Sequence, residues 1–548
     1  MKSIFNKIST DFNQGVQYSK KYRILIFFSI LLTFFVVVLV HNLHLFTTII
    51  FEDGDYAANS ILINLAKSFQ LLVGHYSRMG FNHPGPAFLY VMAFFEKIFF
   101  DGLHIVPSAF NAQEIGIMFL NSFFLAICCY IFFDMTKSVI KTLSVVALVL
   151  FFYSINPILL YSTWMAHVFF APFFAFILSA SVVSAKRSSF IWVMILSGMF
   201  LIHGHVTFFL IICPVFPISL ILCLFKYKFD FNKFLQDNRF NIHLSVIIII
   251  VFLTPIFLNT IINYPGEFGK YFQYSSNSVR VIPDIYSIIG FFLPFWSIVV
   301  TSMQFPSKLP IIMSDKLAGL FSLFFMSGAI VIIYKYTSEK KIREIILSTS
   351  IIIFTVSILF LLYIAKGIDD LSALNHYTGI FFYAVPLLLL CLILLGVISK
   401  ISNYKIITII LLISLITIGI TASMGDFTNP YNGSSDYKEI VTKLQSDPRW
   451  NTDTIILDFS RDYWSEVAGI VITSKRLGKS IFLSDPFWKV LFTKNYIFKL
   501  DNKNVNKSNK IWHIRLTDKL ETNQKVILSN KKFSIIDDLN STIGTGNG

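Results

Sequence analysis

The chain has 548 residues, of which 55% are hydrophobic, 16% aromatic and only 14% charged, with a mean hydropathy of +0.68. Apolar stretches of about 20 residues recur along it, which excludes an ordinary soluble globule and marks bilayer spans. The net charge of +14 comes from Lys and Arg in the short segments between those stretches, where membrane orientation accounts for it, so no nucleic-acid partner is expected.

The first 23 residues carry Lys2, Lys7, Lys20, Lys21 and Arg23 ahead of an apolar run without a small-x-small cleavage site. They read as the cytoplasmic N-terminus of an uncleaved signal anchor. Apolar length and basic flanks place spans near 24–46, 113–133, 139–160, 163–185, 190–205, 207–225, 243–263, 316–335, 344–365, 377–398 and 404–422. Lys137 and Lys141, Lys186 and Arg187, Lys226 to Arg239, Lys335 to Arg343, and Lys400 to Lys405 then all fall on one side. The positive-inside rule makes that side the cytoplasm.

An all-α polytopic membrane protein of about 11 transmembrane helices follows, N-terminus inside and C-terminus outside. Its expected parts are a transmembrane domain over 24–424 with a first exterior loop at 47–112, and an extracytoplasmic α/β domain over 425–548. Ser287 to Met303 contains Pro294 and reads as a surface or re-entrant helix, since a further crossing would reverse every later orientation. The five cysteines, Cys128, Cys129, Cys213, Cys223 and Cys391, all lie in spans and give neither a disulfide framework nor a zinc motif.

The loop between the first two spans holds most of the chemistry. Glu52, Asp53 and Asp55 lie within four positions of one another, just after the first apolar segment. As structure, they cap the helix read over AANSILINLAKSF, because carboxylates are favourable at helix N-termini. As function, one of them accepts the proton of an acceptor hydroxyl as that hydroxyl attacks an anomeric carbon. Asp55 is the first choice, with Asn59 one turn later on the same face, and Asp53 the reserve.

Further along the loop stand His75, Tyr76, Arg78, Asn82 and His83 around glycines 74, 80 and 85, then Pro84 and Pro86 at a helix start. Arg78 suits either lipid headgroups or bidentate pairing with a phosphate leaving group. A lone histidine is more often structural, but His75 and His83 together with Tyr76 and Asn82 suit a sugar or phosphate pocket.

Beyond the loop, His203 and His205 fall where a run of about 36 apolar residues must turn, so His205 is a polar turn residue or a substrate contact. Lys270 and Arg280 lie in YPGEFGKYFQYSSNSVRVIPD, as interfacial anchors or phosphate holders. Asn375 and His376 stand at the outer end of a span, in a solvated connector or at a cavity rim. No His-x-x-x-His or similar spacing supports a metal, and metal-independence without a cofactor is expected.

From about Tyr437, helix and strand signals alternate: DYKEIVTKLQ, TIILDF, WSEVAGIVITSKRLG, SIFLS, KIWHIRLT and KFSIID. A small α/β domain with a partly parallel sheet is expected, lacking the glycine-rich turn of a nucleotide site. A binding or structural cap fits it better than a second catalytic centre.

An acidic cluster after the first span, then a histidine-proline helix start in the same loop (HPGP, residues 83–86), resembles the GT-C glycosyltransferases, including protein O-mannosyltransferases and lipid A aminoarabinose transferases. LVGHYSRMGFNHPGPAFLYVMA, LIHGHVTFF and VAGIVITSKRLGKSIFLSDPFW also resemble uncharacterised bacterial membrane proteins allied to that superfamily. The resemblance implies transfer of a sugar from a polyprenyl-phosphate donor to a glycan, lipid or protein acceptor outside the bacterial cytoplasmic membrane, with Asp55 at the acidic catalytic position. HPGP stands where many members carry His-Pro-Pro, and the acidic cluster is not a plain Asp-Glu pair. The alternative is a transporter or flippase of lipid-linked glycans. Few ionisable residues lie within the spans and no acidic loop recurs, both of which weigh against it.

Overall fold

The structure is a computed structural model describing residues 20–277, 281–298, 315–337, 339–366, 375–400, 433, 435–479, 481–498, 510–518, 525–529 and 534–537. The chain packs into two compact units. One comprises Met1–Leu43, Glu114–Thr254 and Ser275–Asn429, the other His44–Gln113, Pro255–Tyr274 and Pro430–Gly548.

The helices of the first unit are apolar on nearly every face, the pattern of segments solvated by lipid or by one another. Eight helices of the chain are long and apolar enough to cross a membrane: Ile24–His41, Ala109–Thr136, Met165–Ser184, Phe208–Lys226, Phe231–Ile262, Asp315–Tyr336, Lys340–Ala365 and His376–Lys400. Each coincides with an expected span. Two further expectations, 139–160 and 190–205, appear as the shorter helices Val139–Ile155 and Ser188–Gly204, and the span expected at 404–422 lies outside the described residues.

The 139–160 segment is shorter than expected because Asn156 and Pro157 end the helix. Proline supplies no N–H to continue the ladder, and the Asn156 side chain turns back to donate to the Phe152 carbonyl at 2.9 Å. Two single-turn helices, Ile158–Tyr161 and Met165–Val168, follow before Phe170–Ser184. Asn121 satisfies the freed carbonyl of Leu160 at 2.8 Å, as a broken helix among apolar neighbours requires.

The described part of the Ser287–Met303 segment lies in the short helix Ile285–Phe292, capped by Asp284 on the Ser287 N–H at 2.9 Å, and in one tight turn over Leu293–Trp296, and residues 299–303 lie outside the described residues. These twelve described residues rise about 20 Å, less than a hydrocarbon core of about 30 Å.

The second unit joins the loop between the first two spans to the tail. Its longer helices among the described residues are α1 (Gly54–Ala66), α2 (Ala87–Phe95), α3 (Gly266–Asn277, which runs on past the unit), α4 (Asp436–Gln445) and α5 (Trp464–Arg476). Its strands are β1 (Thr454–Phe459), β2 (Ile481–Leu483), β3 (Ile511–Thr517), β4 (Lys525–Ser529) and β5 (Ser534–Asp537), in the order β2-β1-β3-β5-β4.

β1 is parallel to β2 and β3, with Leu457 opposite both Leu483 and Ile514, and the β3, β5 and β4 pairings are antiparallel. The expected α/β tail with a partly parallel sheet is met. β4 was not expected: KVILS is an edge strand without buried residues, so it carries no strong alternating pattern.

Loop and tail share one hydrophobic core. Ala57, Ala58 and Ile61 of α1 and Tyr76 are buried with Ile440 and Leu444 of α4, Val467 and Ile470 of α5, and Leu483, Trp512 and Ile514 of the sheet. Small alanines on α1 let α5 approach closely, and each fully buried branched side chain contributes roughly 1.5–3 kcal/mol. Sequence reading grouped loop 47–112 with the membrane region and set 425–548 apart; in packing, the loop and the tail form one unit.

Candidate functional site

The acidic cluster divides by position. Asp53 is the N-cap residue of α1 in extended conformation, and its carbonyl accepts the N–H of Tyr56 and of Ala57. Gly54 follows at φ +51°, a left-handed conformation that L-residues adopt at a cost of about 1–2 kcal/mol. A Cβ there would also stand 3.1 Å from Ser465 Oγ. Asp55 follows in the first turn of α1 and, like Asp53, is half-buried.

Asp55 accepts a hydrogen bond from the Tyr76 hydroxyl. Burial, and then the Asp55 charge, push the Tyr76 phenol well above its ordinary range, while Arg78 beside it pulls the other way. Tyr76 is therefore a fixed donor to the carboxylate. The exposed Arg78 guanidinium lies 5.5 Å from the ring centroid of Trp464, a cation–π distance. Asn59 is buried one turn after Asp55, and its Oδ1 has no hydrogen-bond partner among the described residues.

The HYSRMGFNH stretch holds this arrangement through local backbone pairing. Tyr76 and Asn82 form an antiparallel bridge, His83 N–H donates to the His75 carbonyl at 2.8 Å, and Gly74 N–H donates to the His83 carbonyl at 2.8 Å. Gly80 at φ +83° closes the turn. The rings of His75 and His83 are thereby brought together, 4.1 Å between centroids.

α3 pins the same turn. The Glu267 carboxylate accepts the Asn82 N–H at 2.7 Å and an ion pair from Lys270 at 2.7 Å, and the Tyr271 hydroxyl donates to the Asn82 carbonyl. Lys270 is thus half-exposed with one partner in hand.

Glu52 stands apart from Asp55. It is 2% exposed, its N–H donates to the Tyr437 hydroxyl at 2.9 Å, and its carboxylate takes Arg476 and the Ser60 hydroxyl. Burial pushes its carboxyl above the usual range against the pull of Arg476 and Ser60, with Glu96 adding to the rise. One of the three acidic candidates of the loop, read in sequence also as a substrate-binding residue, Glu52 stands inside a charge network.

The remaining sequence candidates lie elsewhere. In the first unit, His205 Nδ1 meets Thr207 Oγ1 at 2.8 Å, consistent with the expected polar turn, and His203 Nε2 donates to the Phe252 carbonyl at 2.8 Å. His376 is stacked on Phe295 at 4.7 Å, with Nε2 3.0 Å from the Tyr383 hydroxyl. Arg280 lies outside the described residues. Among the described residues no group of three or more His, Cys, Asp or Glu is arranged to hold a metal ion.

Sequence reasoning missed Trp464, Glu267, Glu96 and Arg476. Their signals were bland: an aromatic and a basic residue at the two ends of an amphipathic helix, and two glutamates beside apolar runs.

No family model matches the chain, and no curated protein matches its sequence. Among solved structures, ArnT from Cupriavidus metallidurans bound to undecaprenyl phosphate matches over 95% of this chain and 99% of its own, with 10% identity and a TM-score of 0.51. The fold is shared with ArnT. The expected helical membrane region followed by a small sheet is therefore met. ArnT in its apo state matches with a TM-score of 0.41 at 10% identity over 94% of this chain and 97% of its own. The apo oligosaccharyltransferase of Archaeoglobus fulgidus gives 0.39 at 12% identity, over 86% of this chain and 66% of its own.

Proposed function

We propose that the protein is a membrane glycosyltransferase moving a sugar from a polyprenyl-phosphate donor to an envelope glycan, lipid or protein acceptor on the exterior face of the bacterial cytoplasmic membrane. The observation that carries this reading is the Asp55–Tyr76–Arg78 cluster, a half-buried carboxylate held by a phenol beside an exposed guanidinium. The ArnT fold supports it, because that protein is seen with undecaprenyl phosphate. The proposed orientation puts the N-terminus inside and the second unit outside.

In this reading Asp55 is the general base. The acceptor oxygen attacks the anomeric carbon, its proton passes to the Asp55 carboxylate, and the bond from carbon to phosphate oxygen breaks with its electron pair going to the phosphate. Arg78 pairs with that leaving group, and Tyr76 fixes the carboxylate that receives the proton. Asn59, His75, Asn82 and His83 line the donor or acceptor, and no metal takes part.

The test is transfer of radiolabelled sugar from a panel of polyprenyl-phosphate sugars by the purified protein, with donor hydrolysis scored alongside. Folded Asp55→Asn is expected to lose about 10²- to 10⁴-fold in rate, Asp53→Asn to retain activity, and chelator to leave the rate unchanged. No turnover of any donor by wild type, with lipid-linked glycan crossing liposomes instead, would replace the transferase by a flippase.

A further inference from the structure

Glu52 and Glu96 are two glutamates buried within one network, 2% and 1% exposed. Arg476, the last residue of α5, reaches both: its guanidinium pairs with Glu52 and lies 3.9 Å from Glu96. The two carboxylates differ in what else holds them. Glu96 also takes Lys67 at 2.8 Å and the Gln113 amide at 2.7 Å, and Lys67 further pairs with Asp101 at 2.7 Å. The Glu52 carboxylate has, besides Arg476, the hydroxyl of Ser60, whose one hydrogen also faces Gln113 Oε1 at 3.0 Å. Arg476 is thus the counter-charge of Glu52 in particular.

Glu52 is three residues before Asp55, and Gly54 is the joint between them. Whatever fixes Glu52 fixes where α1 begins and where Asp55 points.

We propose that Arg476 is a positioning residue, which holds Glu52 from 424 residues away and thereby sets the backbone that carries Asp55. Its catalytic consequence rests on the function proposed above; its effect on the loop does not. The inference assigns the tail a role in the active loop: helix α5 brings Trp464 beside Arg78 at one end and Arg476 against Glu52 at the other.

Removing Arg476 leaves Glu52 a buried carboxylate without its cation, facing Ser60 of α1, Glu96 after α2, Gln113 and the Tyr437 hydroxyl of α4, with Lys67 committed to Glu96 and Asp101. The loop then opens to hydrate it. Protonating Glu52, or making it glutamine, removes the need for the cation. Burial already raises this carboxyl against the pull of Arg476, so in a variant without Arg476 a held loop is favoured while Glu52 is protonated and lost as pH rises through its folded pKa.

The experiment is hydrogen–deuterium exchange of residues 51–63 in the full-length protein, corrected for intrinsic rates at pH 7.5 and 5.5, with steady-state kinetics on the same donor panel. Arg476→Met is expected to exchange at least about tenfold faster than wild type at pH 7.5, and less so at pH 5.5. Glu52→Gln/Arg476→Met is expected to return towards wild type. In kinetics, Arg476→Met is expected to lose about 100-fold in kcat with KM within about twofold, and the double variant to recover most of it.

Arg476→Gln, alone and with Glu52→Gln, gives the same comparison should the methionine variant not fold. Unchanged exchange in Arg476→Met, or equally fast exchange in the single and double variants, overturns the proposal. A wild type that turns over no donor removes the proposed function, while the exchange result still decides the role of Arg476.

Discussion

At the scale of single residues, Asp55 and Asp53 were legible as a pair but not as individuals, because both suit a helix N-terminus. The left-handed Gly54 between them separates the N-cap residue, whose side chain makes no cap hydrogen bond, from the one held by Tyr76. The tail holds a comparable case in which pH gives the test. Arg449 pairs with Asp447 and Asp537, each at 2.8 Å, and lies 4.1 Å over the Trp512 ring. Its hydrogen bond holds Asp447 down at about 2. A depressed folded pKa gives stability that is present above the ordinary carboxylate value of 3.8 and lost as pH falls from there through about 2. Exchange protection of residues 510–517 is therefore expected to decline over that window, and Arg449→Met to flatten the decline. An acid profile identical in the variant would remove Asp447 as its origin.

At the scale of elements, α5 was legible and its uses were not. WSEVAGIVITSKRLG reads as an amphipathic helix, which it is, but periodicity says nothing of Gly469. A Cβ on Gly469 would stand 2.6 Å from the Tyr437 ring, whose hydroxyl holds the Glu52 N–H. Glycine is required there by close approach of α4. Gly469→Ala is expected to lower stability by about 1–3 kcal/mol, read as a fall in Tm, and to speed exchange at residues 51–53. A variant as stable as wild type would show that Tyr437 yields without cost. The hairpin-like turn over 74–83 is the opposite case: its histidines, asparagine and glycines were visible, and local backbone bonds join His75 to His83.

At the scale of the whole molecule, the proposed orientation makes a prediction about access. Lys475 of the tail and Lys340 between two spans are both exposed. Lys475→Cys is expected to react with an impermeant maleimide on intact cells, and Lys340→Cys only after lysis, each against the background of the exposed Cys213. The reverse pattern would invert the topology. Sequence by itself determined where the apolar helices run, that the tail alternates helix and strand, and which loop collects the acids, because these are set by local hydrophobicity and period. Tertiary structure alone decided which carboxylate meets Tyr76, which meets Arg476, and that loop and tail share a core. Asp55 and Tyr76 stand 21 positions apart and Glu52 and Arg476 424, and which buried charge finds which partner depends on helix approach, not on anything written beside either residue.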